Sequence, residues 1–313
     1  MALLLTACSD ESNQVLSLPS EAHTNESLIA QTADADVRFE QQAVGGTRSA
    51  QIFDTETELL ELEASVIESR VIPPVERKAY FGDLHVHTTY SFDGYAFGTL
   101  ATPYDAYRFA KGEAIANPAG FNMQLSRPLD FYAVTDHGMF LGLAGAAADT
   151  STEFSKNAFS EPYHGLNAPE NMGAGSLDVL NRMRTFSSFM PAAVSQIRNG
   201  ELDRDEVLGV VRSAWLDSIN AADEFYAPGT FTTFAAYEYT ASTNDRGNLH
   251  RNVVFQDTNK LPREPFSRLH SGNPEDLWQW MDELRSKGVE SLAIPHNSNG
   301  SNGQMFKLVD WAG

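Results

Sequence analysis

Gly82-Asp83-Leu84-His85-Val86-His87-Thr88 is the stretch that decides how this chain is read. It ends a strand candidate, Ala79–His87, and places two histidines one residue apart at the strand's end. On a strand, residues i and i+2 point to the same side, so both imidazoles can reach one metal ion. The competing explanation is a pair of core histidines. Ser91-Phe92-Asp93-Gly94 follows one loop later, where Asp93 is either a turn residue before Gly94 or a carboxylate ligand. Working outward, further strand candidates are Phe131–Thr135, Phe231–Tyr239, Asn252–Gln256 and Ser291–Ile294. Tyr104–Lys111, Asp205–Phe225 and Pro274–Lys287 are helix candidates. In the second helix Leu208, Val211, Trp215, Ile219, Ala222 and Phe225 recur at three- and four-residue spacing; in the third Leu277, Trp280, Met281 and Leu284 do, with Gly288 as its stop. Strands alternating with helices predict an α/β fold with a largely parallel sheet. Residues 140–203, rich in Gly, Ala, Ser, Asn and Pro, are expected to form an irregular insertion.

Of the eight histidines, His85, His87, His137, His250 and His296 lie at or beside strand ends. In α/β folds sites form where strands end, so these residues can converge although far apart in sequence. Thr135-Asp136-His137-Gly138 adds a histidine and a carboxylate; Asp136 either orients a histidine or forms a turn. Glu238 sits in the apolar run Phe234-Ala-Ala-Tyr-Glu-Tyr, where burial is costly without a metal or cation, unless that strand is an edge. His250 precedes Arg251-Asn-Val-Val-Phe, and His296 ends Leu292-Ala-Ile-Pro-His. Arg251 and Arg246 are candidates for holding an anionic substrate, and Asn297 either positions substrate or caps a turn. His23, His164 and His270 lie in polar contexts and are expected at the surface. No Gly-rich phosphate loop followed by Lys and no Gly-x-Ser-x-Gly elbow is present.

Bulk properties set the frame for these motifs. A chain of 313 residues with 42% hydrophobic and 20% charged residues is globular in composition. Its formal net charge of −20 argues against nucleic acid as a partner, and repels free anions unless bound metal reverses the field locally. The single cysteine excludes an internal disulfide and a thiolate cluster. Leu5-Thr6-Ala7-Cys8 resembles a bacterial lipobox. It implies lipidation of Cys8 and a periplasm-facing protein of the cell envelope, with Ser9 favouring the outer membrane and the lipid as sole membrane contact. Residues 1–8 are thus expected to be a signal remnant and 9–75 a disordered acidic and polar tether with a short helix over Thr57–Arg70. The metal-binding domain is expected over 76–313.

With these residues in hand, the chain resembles the PHP (polymerase and histidinol phosphatase) superfamily, and within it the branch named domain of unknown function 3604. The resemblance rests on Asp83-Leu-His-Val-His-Thr, Ser91-Phe-Asp-Gly, Thr135-Asp-His-Gly, Tyr237-Glu-Tyr, Leu249-His-Arg-Asn-Val-Val-Phe and Pro295-His-Asn-Ser-Asn-Gly, in family order over 79–313. It implies a distorted (β/α)7 TIM-like barrel, incomplete here, and two or three divalent ions of zinc, manganese or iron. His85 and His87 would hold one ion with Glu238 bridging, Asp93 and His137 a second, His250 and His296 a third with Glu238. The implied activity is metal-dependent hydrolysis of a small anionic substrate, foremost a phosphoester. Amidohydrolase-like cleavage of an amide or ester and a non-catalytic metal-binding surface lipoprotein are the alternatives. The resemblance also implies a truncated, inactive fragment, because the superfamily closes its cluster with a late Asp-x-His pair and only Asp310 follows His296 as a carboxylate.

Overall fold

A computed structural model describes residues 78–306 apart from 173, 174, 244 and 246. Cys8, the tether over 9–75 with its helix over Thr57–Arg70, His23, Arg246 and Asp310 lie outside the described residues. In chain order the elements are β1 (Gly82–Asp83), α1 (Phe92–Ala96), α2 (Pro103–Ala110), β2 (Ile115–Ala116), β3 (Asn122–Met123), β4 (Phe131–Ala133), α3 (Leu143–Ala148), α4 (Ser176–Asn199) and α5 (Arg204–Phe225). They continue with β5 (Thr232–Phe234), β6 (Ala236–Tyr239), β7 (Arg251–Phe255), α6 (Pro274–Ser286) and β8 (Ser291–Pro295). The three helices expected from periodicity form within one residue of their expected ends. Capping explains why: Thr102 and Asp105 make a reciprocal capping box, Asp203 accepts from the Asp205 amide, and Asn273 accepts from the Glu275 amide.

The fold is mixed α/β, with three small sheets and, among the described residues, no closed barrel. Among the described strands β1-β4-β5 pair in parallel, whereas β6-β7-β8 is antiparallel, which corrects the expectation of a largely parallel sheet. The cause lies in the connection after β7. An irregular segment climbs the sheet's outer face, with Pro262 O accepting from Trp215 and Ser271 O from the Tyr239 hydroxyl. From there α6 descends, and Gln256 N donates to Glu290 O at the opposite end. The strand that follows must run back against β7. Between the two larger sheets the chain path is continuous: only Ala235 separates β5 from β6, and a parallel bridge joins His137 to Glu238 in the register set by Ala133 and Phe234. Small residues let this surface curl. Ala133 and Ala236 pack with Leu84, Phe234 and Val254, and Asn252 Nδ2 on β7 reaches Leu84 O, just past β1, at 2.7 Å.

Alternation then assigns the faces. Tyr237, Tyr239, Val253 and Phe255 point outward and pack with Trp215 of α5 and Leu277, Met281 and Leu284 of α6. The residues between them, including Glu238 and Asn252, face the concave side. Residues 140–203 are not irregular. They hold α3, three short 3₁₀ turns and the 24-residue α4. Phe186, Phe189, Met190, Ala193, Val194 and Ile197 recur on one side of α4 and close a core with Phe140, Leu143, Phe154 and Phe159. Abundant Ala, Ser and Gly in the flanking sequence hid that stripe.

Candidate metal centre

Every candidate ligand lies at one end of the sheet. His85 and His87 follow β1, His137 extends β4, Glu238 is on β6, His250 immediately precedes the antiparallel β7, and His296 immediately follows β8. Asp93 arrives on the first turn of α1. Gly94 permits that helix to sit close: a Cβ there would lie 2.6 Å from Thr88 O. Glu238 is 1% exposed and paired on both sides, by the His137 bridge and by β7, so it is not an edge residue. Five imidazoles converge on its carboxylate. His85 Nε2 and His87 Nε2 lie 3.3 and 3.1 Å from Oε2; His137 Nδ1, His250 Nδ1 and His296 Nε2 lie 3.4, 2.5 and 3.3 Å from Oε1. Asp93 Oδ2 is 3.4 Å from His137 Nε2, and Oδ1 is 3.9 Å from His87 Nδ1.

The donor atoms fall into three groups: His85, Glu238 and His296; His87, Asp93 and His137; His137, Glu238 and His250. Glu238 and His137 each belong to two. This differs from the expected pairing, in which His85 and His87 shared an ion and His250 stood with His296. The strand ends at Asp83, so the i, i+2 rule no longer applies at 85 and 87. His85 turns toward His296, with ring centroids 4.1 Å apart, and His87 toward His137 at 4.8 Å.

Charge in the cluster is strongly coupled. Burial pushes the Glu238 carboxyl up, but the surrounding imidazoles, His137 first, hold it well below the usual carboxylate range. Burial likewise opposes ionisation of Asp93, yet His137 and His87 keep it below that range. His137 would be lowered by burial alone; Glu238 and Asp93 raise it to about 9. A hydrogen bond to Glu238 raises His85, whereas burial leaves His250 lowered. The donors fit divalent metal: Glu238 Oε2 and both ring nitrogens of His296 are buried and have no hydrogen-bond partner. Mixed imidazole and carboxylate donors suit zinc, manganese or iron. The cluster is buried on one side and open on the other, where the His85 and Asp93 side chains are 41% and 31% exposed.

A second layer of hydroxyls orients these rings, and sequence reasoning did not assign it. Ser91 Oγ is 2.7 Å from His87 Nδ1 and accepts from the His137 amide; Thr240 Oγ1 is 2.5 Å from His137 Nδ1. Thr240 was findable, since it lies two residues past Glu238 on the same path. Asp136 does not reach the open side of the centre. Its buried carboxylate accepts from the Thr88 amide at 2.5 Å and from the Thr88 hydroxyl at 2.6 Å, fixing the loop that carries His87, and burial raises its pKa. It positions the loop from a buried place, 2% exposed. Arg251 does not reach the centre either. It lies on the opposite face of β7 from His250, 2% exposed, over the Trp278 ring at 4.6 Å, so it cannot hold substrate at this centre. Asn297, in the left-handed region at φ 58°, heads the turn after His296, with its carbonyl accepting from Gly300 N. His164 is exposed, whereas His270 is half-buried against Glu264, 3.2 Å away.

No curated protein and no solved structure matches the chain significantly. A family model described as "Protein of unknown function (DUF3604)" matches residues 74–313, a span that contains all seven ligand candidates. The chain belongs to the DUF3604 family.

Proposed function

We propose that the protein is a metal-dependent hydrolase, foremost a phosphoesterase of PHP type, with a di- or trinuclear centre of zinc, manganese or iron. The observation that carries this reading is the convergence of five imidazoles on the buried carboxylate of Glu238, with donor atoms left unpartnered. Bound there, divalent ions lower the pKa of water and stabilise charge developing on a phosphoryl or acyl oxygen. Glu238 belongs to two ligand groups and so does His137, so these residues would hold neighbouring ions together. Ser91 turns His87 so that its Nε2 faces Glu238, and Thr240 fixes the orientation of the His137 ring. Asp136 holds the His87 loop through Thr88. The exposed sides of His85 and Asp93 leave the centre reachable by a small molecule, the arrangement of a catalytic rather than a closed structural site.

The test is hydrolysis of a panel of phosphate esters by metal-loaded protein, beside esters and amides. Turnover of phosphate esters with two or three ions per chain by elemental analysis is the expected result. The double variant His85→Ala, His87→Ala should lose at least one ion and drop turnover by 10²-fold or more, on the order of what losing a metal site costs. Full metal content in that variant would sink the assignment. Turnover confined to amides or carboxylic esters would transfer the centre to the other hydrolase class.

A further inference from the structure

We propose that the substrate of this centre is amphiphilic: one anionic group at the ligand cluster and an apolar remainder on an exposed track formed by α1 and α4. The inference rests on the metallohydrolase reading and adds the substrate class. Asp93 and Phe97 are four residues apart, so the side chains of the helical turn and its end lie on one face, about 5–6 Å apart at Cβ. Asp93 faces the ligand cluster and Phe97 is 43% exposed. From Phe97 an aromatic chain leads back to the cluster: Phe97 to Phe186 at 5.1 Å, Phe186 to Phe92 at 6.0 Å, and Phe92 to His137 at 5.0 Å. Outward from Phe186 the stripe continues along α4 through Met183 and Val179, at spacings of three and four residues, exposed by 43% and 48%. Leu180 and Leu177 flank it, at 45% and 74%. Phe97, Met183, Val179, Leu180 and Leu177 thus place five large apolar side chains in solvent on two neighbouring helices, a grouping that calls for an occupant. Its continuity with an open ligand cluster identifies the occupant as part of the molecule held there.

Charge around the cluster supports the same choice. Among the described residues, Asp93 and Glu238 form ion pairs with histidines only. The two buried arginines nearest these elements are committed elsewhere. Arg182 donates to the carbonyls of Ala96, Leu166 and Asn171, and Arg251 lies on the far face of β7. Neither of these two arginines is offered to a second anionic group, which favours a mono-ester of a long alcohol over a polyanionic molecule.

The probes are methylphosphonate and hexylphosphonate, titrated calorimetrically into the metal-loaded full chain, with the metal-free chain as control. Both should bind in a metal-dependent way, the longer at least about 30-fold tighter, since each fully buried methylene is worth about fourfold. In Phe97→Ser and Met183→Gln that ratio should fall to about threefold or less, while Leu216→Ser, an exposed apolar residue on α5, should keep it. Metal-dependent binding of both probes at equal affinity, or a ratio unchanged in Phe97→Ser and Met183→Gln, overturns the proposal and leaves the metallohydrolase reading standing. Absence of metal-dependent methylphosphonate binding removes both. Sedimentation supplies the last outcome: a dimer that becomes monomeric in Phe97→Ser and Met183→Gln assigns the track to a second copy, against the proposal.

Discussion

His137 is the residue on which the cluster's protonation turns. It belongs to two candidate ligand groups and, without metal, is held as an imidazolium up to about 9 by Glu238 and Asp93, against the effect of its own burial. The sign follows from linkage. A raised histidine stabilises the metal-free fold fully below its unfolded pKa of about 6.5, and that contribution disappears as pH rises through about 9. A metal ion must displace this proton, so affinity should rise roughly tenfold per pH unit between these limits and level off above. Calorimetric titration in two buffers of different protonation enthalpy measures the protons released; zero release at pH 7.5 would contradict the assignment. Arg251 gives the opposite kind of prediction. Its Nε and Nη1 are buried without partners, and burial lowers its pKa to about 10. Its charge is met by the Trp278 ring but by no carboxylate among the described residues, and replacing such a buried charge by a similar apolar volume is neutral or stabilising, so Arg251→Met should leave metal content intact and gain about 0–2 kcal/mol in urea unfolding. A loss of several kcal/mol, or of metal, would restore a functional role to Arg251. The seven candidate ligands that the sequence singled out at strand ends are brought together by the fold, because strand ends converge on one side of an α/β sheet. The orienting hydroxyls were not legible in the sequence, since Ser and Thr carry no signal until their neighbours in space are known.

At the scale of elements, what the sequence made legible was local. Helices α2, α5 and α6 announce themselves by period and caps, and the strands by short apolar runs. Strand direction depends on how the chain returns, and the irregular climb before α6 reverses β8 relative to β7 without any mark in composition. The same limit explains Ala79–His87, where only Gly82–Asp83 is regular strand, because Asp83 accepts from the His85 amide and turns the chain out of line. One contact between elements yields a prediction. Gly138 follows His137 where β4's extension passes β6, and a Cβ there would lie 2.7 Å from Cδ2 of the fully buried Tyr237. Tyr237 is wedged against Trp215, with ring centroids 5.8 Å apart, so it has no room to yield. Gly138→Ala should therefore cost about 1–3 kcal/mol in urea unfolding and weaken metal binding by shifting His137. An unchanged midpoint together with unchanged metal content would show that this junction tolerates movement.

Across the whole molecule the candidate metal centre concentrates an electrostatic cost. The chain has a formal net charge of −20, and its ligand cluster holds two carboxylates with no lysine or arginine paired to them among the described residues. Divalent cations would be attracted by that field and, once bound, would satisfy Glu238 Oε2 and the His296 ring nitrogens, which are buried without a hydrogen-bond partner. The ligands come from β1, α1, β4, β6 and the ends of β7 and β8, so occupancy ties together segments separated by more than two hundred residues, from His85 to His296. Binding to the folded state alone stabilises it by about 2.7 kcal/mol per site when free metal is a hundredfold above its dissociation constant. For a domain of this size each kcal/mol moves the melting temperature by roughly 2–4 °C. Chelation should thus lower Tm by about 5–10 °C for one such site, and more if a second ion leaves. High salt should shrink the difference, because screening weakens the field that draws the ions in. Calorimetric melts with and without chelator decide the matter when the double variant His85→Ala, His87→Ala is run alongside. Wild type must lose stability on chelation, and the variant must lose distinctly less. Equal shifts in both would mean that the stabilising ions bind elsewhere on the acidic surface.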